Sequence, residues 1–565
     1  MNTRANFITV WLLMATAGSG FAATHYVDLN SPNPTPPYTN WATAATVIQD
    51  AVDASAAGDD VVVTNGLYVA GGRPVGTNLL ANRVAVDKAL TLHSVNGPEF
   101  TVIEGYRLPE TNNGIGAIRC VYLTNGAILS GFTLTNGATL ATLSGEWQPD
   151  EQSGGAAYCA SAAATISNCT LVGNSAYEYG GAAYQGTLNN CILRVNSAFV
   201  GGAANNCTLN DCILTNNTAS YGGAVEWCQL NNCVLARNVA EDGGGADDSA
   251  LNQCTLAGNS SWNGGGANSS TLTNCTLINN VGVDGGGANN SVLNNCELIG
   301  NSAKTYSSFG YIVNGFGGGA SQCSLNNCTL TGNSAVGVGG SGGGTEGCTL
   351  NNCIVYFNTA SDGANYDSSC TFNYCCITPL PPGGTGNIAH DPQLASASHL
   401  SVLSHCRGAG SPAYANGTDI DGEAWANPPS IGCDEFHEGA VTGPLGVRIT
   451  ADFTNATVGF SVGLTALIDG RATLNAWEFD DGDLDINQPF TTHTWAAPGD
   501  YLVTLWCFND TYPDGVSANI TILWCHKRFS MSPPETAIRW HRSRPGRPRP
   551  RIFRMPLTPR QRREA

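Results

Sequence analysis

The chain has 565 residues with 69 glycines and 22 cysteines, only 12 % of its residues are charged, and its formal net charge is −19. This length would allow several domains, but it is a poor guide to domain number when the chain contains repeats. The cysteines recur at fixed intervals, which excludes a small disulfide-stapled scaffold, and the abundance of glycine favours an architecture with many turns.

The N-terminal residues 1–22 have the pattern of a secretory signal. Arg4 supplies the charged start, residues 7–17 form an apolar stretch, and small residues precede a cut before Ala23. The apolar stretch is too short to span a bilayer comfortably, and no other stretch is apolar enough to do so. We therefore expect a secreted protein or one on the outer-membrane surface, with no transmembrane span in the mature chain.

Residues 43–57 are predicted to form an amphipathic helix. Ile48 and Val52 belong to one apolar stripe, and Thr46 with Gln49 has the spacing of a capping box. An array of stacked strands exposes an edge at its first coil, and such an edge invites aggregation unless it is covered. We interpret this helix as the lid on that edge.

From residue 165 to residue 376, one unit recurs about every 21 residues. Each unit is marked by an anchor cysteine, and in every unit but the last this cysteine has a Leu or Ile three residues before it and an Asn five residues after it, usually with a Leu two residues after it. A glycine pair, such as Gly180-Gly181, follows in most units. The anchors are Cys169, Cys191, Cys212, Cys233, Cys254, Cys275, Cys296, Cys328, Cys353 and Cys375.

A fixed period of this size predicts stacked repeats, and the short alternating apolar runs within a unit predict strands. We therefore expect an all-β fold, a right-handed parallel β-helix whose coils lie about 4.8 Å apart. The Asn column fits either turns with left-handed φ or side chains that form local hydrogen bonds. The glycines fit a bend with positive φ.

The repeats resemble those of polymorphic outer membrane proteins. Gly181-Ala182, Gly202-Ala203 and Gly223-Ala224 are similar to the Gly-Gly-Ala motif of that family, and Leu171–Asn174 is similar to its Phe-x-x-Asn motif. The resemblance implies the fold and surface exposure. The opening, from residue 26 to residue 68, resembles secreted right-handed β-helix proteins of the pectate-lyase type.

A second cysteine column lies five residues before the anchors, with Gly or Ser at this position in other units. Its members are Cys207, Cys228, Cys323, Cys348 and Cys370. We favour buried free thiols, because stacked Cβ atoms lie slightly too far apart for disulfides between coils; such disulfides remain the alternative, since export would permit them. The array has neither Cys-x-x-Cys nor a nearby His, so we predict no metal there.

The residue before each glycine pair is predicted to lie on one lateral face of the solenoid. This face is rich in aromatic, amide and acidic groups, which suit a carbohydrate chain lying along the coils; a solvated turn face is the alternative. The candidate glycan-binding residues are Tyr179, Tyr221, Asp242, Trp262, Asn263 and Asp284. The longer step after Cys296 predicts a loop on one flank, containing Tyr306.

We assign no catalytic residue. Asp242 and Asp284 would lie about 9.6 Å apart, near the upper limit for an inverting glycosidase. Their glycine-rich turns should leave them hydrated and ionised, and Arg194 and Arg237 do not share that turn.

Beyond the repeats, residues 377–437 form a closing segment like that of many secreted bacterial β-helix proteins. Asp419, Asp421 and Glu423 offer oxygen ligands for calcium but lack the full EF-hand spacing, so turn formation is favoured and no cofactor is predicted. Residues 438–444 form a linker.

Residues 445–524 resemble a PKD-type β-sandwich, through Trp477–Gly482 and residues 493–501. This resemblance implies a spacer or binding module. The basic tail 525–565 alternates Arg and Pro without aromatic spacing, so we expect disorder and no nucleic acid partner.

Taken together, these patterns favour a monomeric adhesive or structural protein with a polysaccharide or cell-surface glycan as its candidate partner. A polysaccharide lyase or glycoside hydrolase is the alternative, because a fold alone does not fix a function.

Overall fold

The computed structural model describes residues 22–141, 148–308, 311–457 and 459–525. The predicted signal segment, apart from Ala22, and the predicted basic tail from residue 526 onward lie outside these ranges. No helix in the described ranges is long and apolar enough to cross a membrane.

The described part of the repeat region is a stack of parallel strands arranged in three long sheets. Sheet A contains Thr24–Val27, Asp60–Val63, Thr91–Ser94, Ile128–Ser130, Thr165–Ser167, Thr187–Asn189, Thr208–Asn210, Gln229–Asn231, Ala250–Asn252, Thr271–Thr273, Val292–Asn294, Ser324–Asn326, Thr349–Asn351 and Thr371–Asn373. Sheet B contains Gly66–Tyr68, Thr101–Glu104, Thr133–Thr135, Thr170–Val172, Ile192–Arg194, Ile213–Thr215, Val234–Ala236, Thr255–Ala257, Thr276–Ile278, Glu297–Ile299, Thr329–Thr331, Ile354–Tyr356 and Cys376–Ile377.

Sheet C is the third long sheet, and a smaller sheet of four strands adds to the coils at residues 281–360. Sheet C contains Ala81–Val86, Ile118–Leu123, Ala157–Cys159, Ala183–Tyr184, Ala204–Asn205, Val225–Glu226, Ala246–Asp247, Ala267–Asn268, Ala288–Asn289, Ala320–Ser321 and Thr345–Glu346. The smaller sheet contains Val281–Gly282, Ser302–Lys304, Ser334–Val336 and Thr359–Ala360. The predicted parallel β-helix is confirmed.

Each strand pairs in parallel with its own copy one coil later, so identical side chains stack. Leu209 pairs with Leu230, and Leu230 with Leu251, in sheet A. The leucines on either side of the anchor cysteines are buried in one continuous core, in which Leu256 is fully buried. The inward assignment of these leucines is confirmed.

Single residues with left-handed φ turn the chain between strands. In the coil that begins at Ala183 these are Asn190, Val195 and Gly201, whereas the first bend has two residues with positive φ, Gln185 and Gly186. The glycine bend is therefore confirmed. The predicted asparagine column, by contrast, holds hydrogen-bonding residues, and the left-handed residue is the one directly before each of them.

The asparagine column forms a buried ladder along the stack. Asn259 donates from Nδ2 to the carbonyl of Leu235 at 2.8 Å and to Oδ1 of Asn280 at 3.0 Å. Its own Oδ1 accepts from the backbone N–H and the Nδ2 of Asn238, both at 2.9 Å. Four hydrogen bonds satisfy an amide that is fully buried, as a buried polar group requires.

The cysteine columns have a hydrogen-bonding role as well as a packing role. The backbone N–H of Cys212 donates to Sγ of Cys233 in the next coil at 3.4 Å. In the second column, Cys228 N–H donates to Oγ of Ser249 at 3.1 Å, and Ser291 N–H donates to Sγ of Cys323 at 3.4 Å. Cys and Ser therefore both occur in the second column, because each is small and can accept a hydrogen bond from the backbone N–H of the preceding coil. The cysteines of both columns carry free thiols, and all but Cys370 are buried.

The described helices are Ile48–Ala54, Pro149–Gln152 and the 3-10 turn Trp41–Thr43. The first is shorter than the predicted 43–57, and its N-cap is Val47, so the predicted capping box is wrong. Gln49 instead accepts from the N–H of Ala85 at 2.7 Å and donates to Asp53. This helix packs on the first strands of the core, and its role as a lid stays a prediction.

The predicted flank insertion forms an antiparallel hairpin, Tyr306–Ser308 with Tyr311–Val313. The closing segment runs back along the outside of the last coils. Asn352 Nδ2 donates to the carbonyl of Ser411 at 2.8 Å, and Cys433 N–H donates to Oγ1 of Thr329 at 3.1 Å.

The C-terminal sandwich consists of two described sheets. One contains Gly446–Ala451, Val462–Asp469 and Phe490–His493; the other contains Asn455–Thr457, Val516–Cys525, Gly499–Phe508, Leu474–Glu478 and Leu484–Ile486. Its core includes the fully buried Trp477 and Trp495.

The sandwich is docked on the closing segment. Arg471 forms a two-pronged ion pair with Glu423, at 2.7 and 2.9 Å, and its Nε lies 2.8 Å from Asp421. Asn475 Nδ2 donates to the carbonyls of Leu394 and Ala395. The spacer or binding role that the resemblance implies stays a prediction.

Candidate functional site

The residues before the glycine pairs form one column along the outside of the solenoid, which we call the turn column. Successive members are joined by parallel backbone bridges, from Tyr179 through Val200, Tyr221, Asp242 and Asn263 to Asp284. Five of the six predicted site residues therefore lie in register. Trp262 precedes Asn263, and 41 % of its surface is exposed.

A second column, none of whose members is among the predicted site residues, runs beside it on the outer face of sheet C. We call it the strand column. Its members in consecutive strands are Tyr122, Tyr158, Tyr184, Asn205, Glu226, Asp247, Asn268, Asn289, Ser321 and Glu346. The two columns meet where the rings of Tyr179 and Tyr184 lie 6.0 Å apart.

The glycine pairs explain why the strand column is deeply set. Gly243 has φ +60°, and a Cβ there would lie 2.8 Å from Cβ of Asp247, so the turn backbone packs directly against that side chain. A Cβ on Gly244 would overlap the carbonyl oxygen of Gly265 in the next coil. Glycine thus brings the turn close to its neighbour and shields the acids of the strand column from water.

One end of the strand column is aromatic. The ring of Tyr158 stacks on Tyr122 at 5.9 Å and on Tyr184 at 5.4 Å. The guanidinium of Arg119 lies 5.0 Å from the Tyr158 ring, but it is buried and donates to the carbonyls of Gly154 and Ser153. Arg119 therefore has a structural role and offers no free cation to a ligand.

The middle of the strand column is acidic and proton-binding. Glu226 and Asp247 lie in neighbouring strands, with side-chain oxygens within 4.8 Å of each other and of Asp248. Burial, together with the charges of Asp247 and Asp248, raises the pKa of Glu226 to about 8. Burial also raises the pKa of Asp247 to about 6, against the lowering effect of a 2.8 Å hydrogen bond from Asn268.

Two buried polar atoms in this part lack partners. Oε2 of Glu226 and Nδ2 of Asn205 have no hydrogen bond, and both residues are more than 90 % buried. The expectation that water hydrates the acids of this face is also wrong for Asp284. Its Oδ1 is buried without a hydrogen bond, and burial raises its pKa, with a further contribution from the charge of Glu346.

Trp262 and Phe199 are exposed aromatic residues on the turn side. Trp262 packs at 4.5 Å on the ring of Tyr306, in the inserted hairpin, and Phe199 packs edge-on against Tyr221 at 5.7 Å. Asp242 accepts a 2.6 Å hydrogen bond from Nδ2 of Asn263. The face therefore offers apolar platforms beside amide and carboxyl groups.

The acidic run in the closing segment is already occupied by protein donors. Oδ1 of Asp419 accepts from the N–H groups of Asp421 and Glu423, as a turn-forming Asp does. Asp421 and Glu423 bind Arg471. Turn formation thus accounts for these residues.

The geometry defines a parallel β-helix with a polar and aromatic lateral face, followed by a small β-sandwich. Residues 446–521 match the family model of the PKD domain, so the sandwich is a PKD domain. In it Asp480 has φ +63°.

Three solved structures are similar to the chain. Pectate lyase Pel9A is 15 % identical over 74 % of this chain and 98 % of its own, with a TM-score of 0.32. The PL6 family polysaccharide lyase Pedsa3628 from Pseudopedobacter saltans is 13 % identical over 61 % and 91 %, with a TM-score of 0.30. XylC in complex with xylose is 9 % identical over 73 % and 98 %, with a TM-score of 0.31. No curated protein matches the chain in sequence. At these values the similarity carries no conclusion about activity.

Proposed function

We propose that this chain is an exported, monomeric protein with an adhesive or structural role that binds glycans along the lateral face. Its domains are the β-helix 23–437, the linker 438–444 and the PKD sandwich 445–524, preceded by the signal 1–22. The PKD match and the signal pattern support export.

The observation that carries the proposal is the pairing of the turn column with the strand column. Part-exposed amide and carboxyl groups recur in coils about 4.8 Å apart, beside the exposed ring of Trp262; they are Asp242, Asn263 and Asp284 in the turn column and Asn268 and Asn289 in the strand column. Sugar rings have apolar faces that pack on aromatic side chains and hydroxyls that bond to amides and carboxylates. A glycan lying along the solenoid axis would meet both groups repeatedly.

The charge of the face narrows the ligand class. Asp242, Asp248 and Asp284 are acidic groups of this face and are joined by Asp247, and the neighbouring Arg119 is buried by its carbonyl partners. A chain of uronic acids would bring further negative charge to this face and would be repelled. Neutral or amine-bearing glycans fit it better.

The test is glycan-array binding of a Trp262→Ala variant. Its matched control is Trp41→Ala, because Trp41 is 43 % exposed and packs on Tyr26 at 4.4 Å, much as Trp262 packs on Tyr306. We expect Trp262→Ala to weaken binding about tenfold and Trp41→Ala to leave it unchanged. Equal losses in both variants, or none in either, would count against the lateral face.

Asp242→Asn supplies a second measurement on the same array. The amide keeps an oxygen that accepts from Asn263, so we expect only a mild change for neutral glycans. Binding of amine-bearing glycans should fall further, because the substitution removes a negative charge. Identical responses of the two glycan classes would remove the electrostatic part of the proposal.

Hydrolysis is the second candidate function, favoured by the Glu226–Asp247 pair. Retaining glycosidases hold two carboxyl groups about 5 Å apart, one with a raised pKa that donates a proton and one that attacks the sugar. Glu226 would be the acid and Asp247 the nucleophile. Release of new reducing ends by the wild-type chain, abolished by Glu226→Gln, would establish hydrolysis; no release from glycans that bind would leave binding alone.

A further inference from the structure

The outer face of sheet A carries two adjoining hollows that are separate from the lateral face. The first, of about 280 Å³, lies over three neighbouring strands and is lined by residues including Gln229, Ala250 and Thr273. It exists because the small side chain of Ala250 stands between longer ones on either side. The second, of about 420 Å³, shares Thr273 and ends against Tyr414 and Thr418 of the closing segment.

Together the hollows form a trough, which we call the amide groove. It crosses five strands of sheet A, from Gln229–Asn231 to Ser324–Asn326, or roughly 19 Å at the strand spacing. The described residues that line it are Asn, Gln, Thr, Ala, Leu, Gly and Tyr, and none of them is charged.

A buried acceptor without a partner lies at the floor of the second hollow. Asn295 is only 4 % exposed, and its Nδ2 donates to the carbonyl of Thr418 at 2.8 Å and to Oδ1 of Asn274 at 3.1 Å. These partners fix the amide orientation, because Nδ2 must face the carbonyl. Oδ1 is then left without a hydrogen bond, although a buried acceptor normally has one.

We propose that the amide groove is a second glycan-binding site, specific for a neutral, hydroxyl-rich polysaccharide chain. Hydroxyl donors would satisfy Asn295 Oδ1 and the outward amides, and Tyr414 supplies an aromatic wall at one end. A polyanion finds no cation in the groove. A peptide or a lipid surface finds no apolar pocket deep enough to anchor it, since the floor is built of amides and hydroxyls.

The site goes beyond the lateral face in both place and chemistry. The lateral face lies on sheet C and its adjoining turn and is acidic, whereas the amide groove lies on sheet A and is uncharged. Two sites on different sides of one solenoid would allow the protein to bridge two polysaccharide chains.

The test measures binding of cellohexaose, laminarihexaose and chitohexaose by calorimetry in the Trp262→Ala background. Ala250→Arg fills the first hollow, and its matched control is Thr255→Arg, which adds the same side chain to sheet B of the same coil. Thr273→Arg blocks the junction of the two hollows, and thermal melts of each variant report folding.

We expect Ala250→Arg and Thr273→Arg each to lower the affinity for at least one hexasaccharide about tenfold, while Thr255→Arg changes it less than about twofold. Failure of all three sugars to bind Trp262→Ala protein would overturn the amide groove, and if the wild type binds one of them the lateral face is left as the binding site. Loss in the Thr255→Arg control equal to that in Ala250→Arg would also overturn it. Loss of binding on Ala250→Arg with no effect of Trp262→Ala would support the amide groove and refute the lateral face.

Discussion

From the raised pKa of the Glu226 carboxyl we predict that the free energy of unfolding falls as the pH rises through neutrality. Burial raises the pKa of this carboxyl from its ordinary value of 4.5 to about 8. Between these two values the folded chain binds more protons than the unfolded chain. A carboxyl with a raised pKa therefore lowers the free energy of unfolding as the pH rises through this window, and above pH 8 the effect is complete.

The size of the effect follows from the gap between the two pKa values. At about 1.4 kcal/mol per pKa unit, ionising Glu226 in the folded state costs about 5 kcal/mol. Glu226→Gln keeps the shape of the side chain but cannot ionise. We expect the variant and the wild type to have similar stability near pH 5, and the variant to be more stable by several kcal/mol near pH 9.

The assay is chemical denaturation across this pH range for the wild type, Glu226→Gln and a control, Glu99→Gln, which removes an exposed carboxyl. The control should follow the wild-type curve. The difference between the wild-type and Glu226→Gln curves should develop between about pH 5 and pH 8, whereas the slopes that come from other buried groups, such as Asp247, whose pKa burial raises to about 6, should be common to both. Parallel curves for the wild type and Glu226→Gln would show that the carboxyl is not buried in its neutral form.

Three further outcomes are expected. A thiol reagent should leave Cys275 and the other anchors unlabelled until the chain unfolds, because they are buried and burial raises the pKa of the Cys275 thiol well above its usual range; full labelling of the native chain would contradict this. Leu256→Ala should lower the free energy of unfolding by about 2–5 kcal/mol, and a loss below about 0.5 kcal/mol would place this side chain outside the core. Asn259→Ala should cost about 3 kcal/mol or more, because it leaves buried partners unsatisfied, whereas Asn231→Ala, which breaks one exposed ladder bond, should cost less than about 0.5 kcal/mol; equal costs in denaturation would refute the buried ladder.

The fold could be predicted because the same pattern of apolar, Asn and Gly residues around the anchor cysteine recurs in unit after unit. Each unit places a leucine or another large apolar residue on either side of its anchor cysteine, and a period of about 21 residues leaves few ways to bury all of them except by stacking. The bend at the glycine pairs could be predicted for the same reason, since a glycine such as Gly243 adopts positive φ at little cost.

The site could be predicted only in part. The turn column was visible because it stands beside the glycine pair. Glu226 was missed, although Glu226, Asp247 and Asn268 all stand seven residues before an anchor cysteine. This shared distance from the anchor cysteines would have identified the strand column. Its burial could not be predicted, because it depends on how closely the glycine turns approach, and that is set by the packing of neighbouring coils.

The contacts between the closing segment and the C-terminal sandwich could not be predicted from the sequence. Arg471 and Glu423 are 48 residues apart and belong to different domains. Nothing periodic links them, so their pairing is visible only in the folded chain. The asparagine ladder is an intermediate case, because local hydrogen bonding was one of two roles that the sequence left open.

The register of the coils also bears on how such a chain evolves. Each coil presents the same strands and the same asparagine to the coils above and below, so a gained or lost coil meets a surface that already fits it. A side chain at Gly244 would collide with Gly265 of the next coil. An insertion or deletion that is not a whole repeat would move other residues to such glycine positions. Only the gain or loss of whole repeats therefore preserves the fold. Each gained or lost coil would then lengthen or shorten both proposed binding surfaces by about 4.8 Å.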